Sequence, residues 1–118
     1  MNKPKNTMKV TFPSRGANEG LARMLIAAFI TEADPTVEEL CDIKTAVSEA
    51  VTNCIVHAYP DRIGEIYIAA ALSENDLLTV KVRDRGCGIA DVQKAMEPLF
   101  TTGGSERAGL GFAVMQEL

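Results

Sequence analysis

Tryptophan is absent from this 118-residue chain, and aromatic residues make up only 5% of it. Aliphatic side chains must therefore fill whatever core it builds. The three cysteines, Cys41, Cys54 and Cys87, form no C-x-x-C pair, which argues against a disulfide framework or a zinc site and for free thiols in a reducing cytoplasm. No apolar run reaches the length of a membrane span or signal segment. A basic excess is also missing: the net charge is −4, and Lys3, Lys5 and Lys9 are the only basic bias. Direct nucleic-acid binding, which needs a cationic patch to release counterions, is not expected. Two nucleotide-binding signatures are absent too. There is no G-x-x-x-x-G-K-[ST], which excludes a P-loop, and no strand followed by G-x-G-x-x-G, which excludes a Rossmann site.

What is present fits one domain, with 47% hydrophobic and 24% charged residues. Met8, Val10 and Phe12 alternate with polar residues and predict a short first strand. Leu21, Met24, Leu25, Ala28 and Phe29 follow helical spacing over about 17–32. After Asp34, Pro35 suits a first helical turn, and Thr36 with Glu39 matches a capping box. The second helix should run to His57 or Ala58 with Leu40, Ile43, Val47, Val51 and Cys54 as its core stripe. Ile66, Ile68, Ala70 and Leu72, then Leu78, Val80 and Val82, alternate on either side of Ser73-Glu74-Asn75-Asp76 and predict an antiparallel hairpin with one buried face. Residues 89–97 read as a short helix ending before Pro98, and 101–109 as a polar loop. A last helix is expected from Gly111, so the chain reads as ending inside a helix.

Three short patterns carry chemistry. Glu49, Asn53 and His57 recur every four residues on one face of the second helix, with small Ala46 and Ala50 expected to leave room for a ligand. An asparagine offers magnesium a hard, neutral oxygen, and a glutamate can take a proton. The same spacing is also what a solvated helix face carries. Asp84 ends the hairpin, followed by Gly86 and Gly88. A carboxylate there can accept from an exocyclic base amine while bare backbone approaches the ring, although Asp and Gly are turn formers as well. Finally, Gly109-Leu110-Gly111 follows a glycine-rich stretch, where free backbone N–H groups can cradle phosphate; a plain surface loop reads the same way. His57 is assigned no catalytic role.

The order of these patterns resembles the GHKL (Bergerat-fold) ATPases. Within them the chain is similar to the small serine kinases that act as bacterial anti-sigma factors. The residues that carry the likeness are Asp42-Ile43-Lys44-Thr45, Ser48 to Asn53, Val82 to Gly86, Pro98-Leu99-Phe100-Thr101-Thr102 and Glu106 to Phe112. The Pro-Leu-Phe-Thr-Thr run favours the sporulation branch over the stress-response one. The resemblance implies a two-layer α/β (α+β) sandwich, with helices on one face of a mixed, mostly antiparallel sheet. It implies a single domain over 1–118 that stops short of the family's final strands and of a Gly-Thr-Thr segment beside the adenine.

The resemblance also implies function. The chain would bind ATP or ADP with Mg2+, sequester a sporulation-type sigma factor as a homodimer in the cytoplasm, and phosphorylate a serine of an anti-anti-sigma protein. Glu49 would be the general base and Asn53 the magnesium ligand. Asp84 would read the adenine amine, with Gly86, Gly88 and Ile89 beside the base. Residues 101–111 would form a lid, with Thr101, Thr102, Gly109, Leu110 and Gly111 at the phosphates. Glu19 and Arg23 on the first helix would contact the partner. A nucleotide-gated sequestering module without significant catalysis is the alternative. The catalytic domain of a sensor histidine kinase is a third reading; a self-contained version is not expected, since no dimerisation segment precedes residue 17.

Overall fold

In the computed structural model, residues 3–58, 61–84, 96–102 and 110–117 are described. The chain begins with β1 (Pro4–Pro13), followed by α1 (Ala17–Phe29) and a 3-10 turn at Ile30–Ala33. Next come α2 (Val37–Asn53), whose axis continues as a wider π-helical turn over Cys54–Ala58, and the strands β2 (Glu65–Ser73) and β3 (Leu77–Asp84). The last described strands are β4 (Met96–Thr102) and β5 (Gly111–Glu117). The five strands form one sheet in the order β1-β2-β3-β5-β4. Only the β3–β5 pairing is parallel, so the sheet is mixed and mostly antiparallel.

Local signals explain where α2 starts. The Thr36 side chain accepts the Glu39 N–H at 3.1 Å, and Glu39 Oε1 accepts the Thr36 N–H at 2.8 Å, which completes the capping box. Pro35 stands before this cap rather than in the first turn, because Thr36 is the N-cap. The reversal from the 3-10 turn is made at Asp34, whose φ of 53° is left-handed, a conformation that Asp tolerates better than most residues.

The expected core stripe of α2 is real. Ile43, Val47, Val51 and Cys54 are buried in one core with the sheet residues Ile66, Ile68, Val80 and Val82. Burying each such side chain stabilises the fold by about 1.5–3 kcal/mol. The hairpin keeps its predicted alternation: Val10, Ile68 and Val82 lie in one register row on the helix-facing side. On the opposite face, Arg83 stacks over the Tyr67 ring at 5.1 Å.

Several sequence expectations are corrected. Ala46 and Ala50 are fully buried, so they belong to the core and line no ligand space. The last helix is instead strand β5: Phe112, Val114 and Gln116 are buried while Gly111, Ala113 and Met115 are half-exposed, a period of two. Seven residues are too few for spacing to separate helix from strand. The open edge of β3 decides the matter by offering parallel backbone partners from Leu77↔Gly111 to Val82↔Gln116. Met96 and Glu97, expected in a helix, open β4; the remainder of that helix, residues 89–95, lies outside the described residues. Thr101 and Thr102, expected in a loop, close β4. Pro98 fits within β4 because that strand is at the sheet edge and its register shifts between Pro98 and Phe100.

Replacing Thr36 by Ala should lower the unfolding free energy by about 1 kcal/mol through loss of the cap. Replacing Ile43 by Ala should lower it by about 2–5 kcal/mol through the cavity left behind. Urea unfolding followed by circular dichroism measures both, and equal midpoints for the two variants would contradict this division of stability.

Candidate functional site

Asn53 is the last residue of α2 before the helix widens, and it is half-buried. Its Nδ2 donates to Gln116 Oε1 on β5 at 3.1 Å. Gln116 is only 7% exposed, and its Nε2 is directed at Cys54 Sγ at 4.0 Å. The Gln116 amide oxygen faces Asn53 and its nitrogen faces Cys54. The carbonyl oxygen of Asn53 is left as a hard donor beside the sheet.

Asp84 closes β3, opposite Ile66, and is half-buried. Alternation through Leu78, Val80 and Val82, all buried, places it on the helix-facing side of the sheet. Val82, one pleat earlier, is the register partner of Gln116. Asp84 therefore lies about 7 Å along the strand from the row that holds the Asn53–Gln116 pair. Asn53 and Asp84 share one end of the gap between helix and sheet. Glu49 sits one turn back on α2, about 6 Å along its axis, and is exposed. His57 is exposed as well.

Other expected members lie elsewhere. Thr101 and Thr102 pair with Ala113 and Phe112, and Phe112 pairs in turn with Leu78. They belong to the opposite end of β3, about 20 Å from Asp84 along the strand. Leu110 and Gly111 are at that far end too, with their backbone donors engaged. The Leu110 N–H goes to Glu39 Oε2 at 3.2 Å and the Gly111 N–H to the Asp76 carbonyl at 3.2 Å. Gly86, Gly88, Ile89 and Gly109 lie outside the described residues.

On α1, Glu19 and Arg23 form an ion pair, with Arg23 Nε 3.0 Å from Glu19 Oε2. Ser48 of α2 donates its hydroxyl to the same carboxylate oxygen. Beside them runs an open groove lined by Leu21, Met24, Arg23 and Lys44, among others. Leu21 is 41% and Met24 72% exposed.

Sequence reasoning missed Gln116, Ser48 and the second role of Glu39. A signal existed for Gln116: read as a strand, Phe112-x-Val114-x-Gln116 puts a polar side chain on a buried face, where it must find a partner.

Residues 12–118 match the histidine kinase-like ATPase domain. The chain belongs to the histidine kinase-like ATPase family. The family's domain implies nucleotide binding, and the two helices over a mixed sheet agree with it. Within this ATPase family the chain is similar to anti-sigma F factors. It is 57% identical over 112 residues to that of Caldanaerobacter subterraneus subsp. tengcongensis, covering 94% of this chain and 78% of the relative. The anti-sigma F factor of Thermoanaerobacter pseudethanolicus is 56% identical over 112 residues, with the same 94% and 78% covered. That of Clostridium novyi is 51% identical over 113 residues, again covering 94% of this chain and 78% of the relative. Among the described residues, no helix of this ATPase domain is long and apolar enough to cross a membrane.

The Asn53–Gln116 bond predicts a coupled loss. Asn53→Ala and Gln116→Leu should each destabilise the domain by about 1–3 kcal/mol, because each leaves a polar partner unpaired. The double variant should lose less than the sum, by at least about 0.5 kcal/mol in a urea double-mutant cycle. Strict additivity would mean that the two amides do not interact in solution.

Proposed function

We propose that this ATPase domain is an anti-sigma factor with protein serine kinase activity. It binds a sigma factor of the sporulation sigma F type and transfers the ATP γ-phosphoryl group to a serine of an anti-anti-sigma protein. The observation that carries the reading is the placement of Asn53 and Asp84 at one end of the helix–sheet gap, with Glu49 one turn away on α2. The names of the 46–57% identical relatives supply the sigma-factor part.

The Asp84 carboxylate accepts the adenine amine; Gly86, Gly88 and Ile89, which lie outside the described residues, keep the base-contacting role that the family resemblance gives them. Asn53 offers its carbonyl oxygen to Mg2+. Among the described residues, no group of three or more His, Cys, Asp or Glu could hold a metal. Asn53 would be the protein ligand of Mg2+, beside the nucleotide phosphates. When bound, magnesium neutralises charge on the phosphates. Glu49, exposed on α2, is accessible to a docked protein and takes the proton from the acceptor serine hydroxyl. The serine oxygen bonds to the γ-phosphorus as the bond to the β-bridging oxygen breaks and ADP leaves. Little covalent work falls to the protein in such a transfer; positioning and charge neutralisation carry it.

Thr101, Thr102, Gly109, Leu110 and Gly111 remain the phosphate segment of this reading. For Leu110 and Gly111 to reach phosphate, their N–H groups must leave Glu39 and the Asp76 carbonyl. Glu19 and Arg23 contact the protein partners, and the kinase acts as a homodimer in the cytoplasm. The reading includes no direct nucleic-acid or membrane contact.

Glu49→Gln should reduce phosphoryl transfer to the anti-anti-sigma protein by about 10²–10⁴-fold and leave nucleotide affinity within about threefold, since the residue touches the acceptor rather than the nucleotide. Rates come from labelled ATP and affinities from calorimetry with magnesium. Equal rates would remove Glu49 from the mechanism. Nucleotide binding by the wild type without transfer to any partner would favour a nucleotide-gated sequestering module instead.

A further inference from the structure

Ser48 connects two surfaces that the kinase reading keeps apart. Its hydroxyl donates to Glu19 Oε2, and that same oxygen accepts Arg23 Nε at 3.0 Å. One carboxylate oxygen thus holds a donor from each helix. Ser48 follows Lys44 by four residues, so both lie on the side of α2 that faces α1. Arg23, with 47% of its side chain exposed, rims the groove where Leu21 and Met24 are open to solvent, and Lys44 borders the same groove from α2. The groove is lined mostly by apolar side chains, with Arg23 and Lys44 as its cations. It suits a protein segment that presents carboxylates beside aliphatic side chains.

A partly exposed glutamate–arginine pair within one helix is weakly fixed on its own, because both side chains retain rotamer freedom. A third donor from a neighbouring helix changes that. With Ser48 in place, the Glu19 carboxylate has one preferred direction, and the planar guanidinium follows it. We infer that Ser48 is a positioning residue: by holding Glu19 from α2, it aims Arg23 at an acidic segment docked in the α1 groove. Glu49 is the next residue, yet it points about 100° away around the helix. Loss of the Ser48 hydroxyl therefore disturbs recognition of the protein and leaves nucleotide and chemistry alone. The inference rests on the reading of Glu19 and Arg23 as partner contacts.

The test uses the full chain with MgATP and the anti-anti-sigma protein. Ser48→Ala should raise KM for the protein substrate about 5- to 20-fold, the scale of one charge-assisted hydrogen bond on a partly exposed surface. The kcat and the nucleotide Kd should stay within about twofold. Ser48→Thr, which keeps the hydroxyl, should restore KM. An unchanged KM in Ser48→Ala overturns the inference. So does a rise that comes with a matching fall in nucleotide affinity or melting temperature, or a threonine variant as weak as the alanine one. Should the wild type transfer no phosphate, the kinase reading fails separately. The calorimetric Kd for the same protein then decides: weaker binding in Ser48→Ala supports the role of Ser48, and equal binding overturns it.

Discussion

The seam between α2 and the sheet governs the rest of the molecule. Ile43, Val47, Val51 and Cys54 are buried in the core, where α2 meets β3 and β5. Once that stripe faces the sheet, helical geometry dictates where every other α2 side chain points. Asn53 falls at the rim of the seam, Glu49 in solvent, and Ser48 and Lys44 towards α1. A helix rotated by a fifth of a turn would bury charge and lose the amide contact to Gln116. The hydrophobic seam thus sets the geometry of both proposed functions, although none of its four stripe residues takes part in either.

Buried polar groups act as pins in this apolar frame. Ser14, Glu39 and Gln116 are the buried polar or charged side chains among the described residues, and each is hydrogen-bonded across a long sequence separation. Ser14 accepts the Gly64 N–H, tying the exit of β1 to the entry of β2. Glu39 caps α2 and also takes the Leu110 N–H before β5. Gln116 joins β5 to the end of α2. A buried polar group without a partner costs more than a typical hydrogen bond gains, so these three contacts exclude alternative registers as much as they add stability.

The two ends of β3 differ in character. At the Asp84 end, the helix turn that bears Asn53 meets the sheet and a carboxylate faces the gap. At the Leu77 end, backbone amides of Leu110 and Gly111 are taken by protein acceptors. Nucleotide recognition of the kind proposed would draw its base and metal contacts from the first end. Phosphate contacts would come from a segment that is held at the second, which makes the hydrogen bonds of Leu110 and Gly111 the competing interaction.

Much was legible in the chain itself. The capping box at Thr36 and Glu39, the helical stripe of α2 and the 66–72/78–82 hairpin follow from spacings of 3.6 and two residues, which depend on local geometry alone. The spacing also put Glu49 and Asn53 on one helix and Asp84 at a strand end, where the structure has them, while their proposed roles came from the family resemblance. Other features were out of reach. Gly111–Glu117 satisfies either period over its short length, and only the free edge of β3 makes it a strand. Ala46 and Ala50 looked like room for a ligand until the sheet closed over them. The Asn53–Gln116 and Ser48–Glu19 bonds join residues 63 and 29 positions apart, and no local pattern encodes such a meeting. Sequence alone determined the capping box, the α2 stripe and the 66–72/78–82 hairpin, because those depend on near neighbours. Tertiary structure decided which side chains meet, because that depends on how the apolar faces of distant elements pack together.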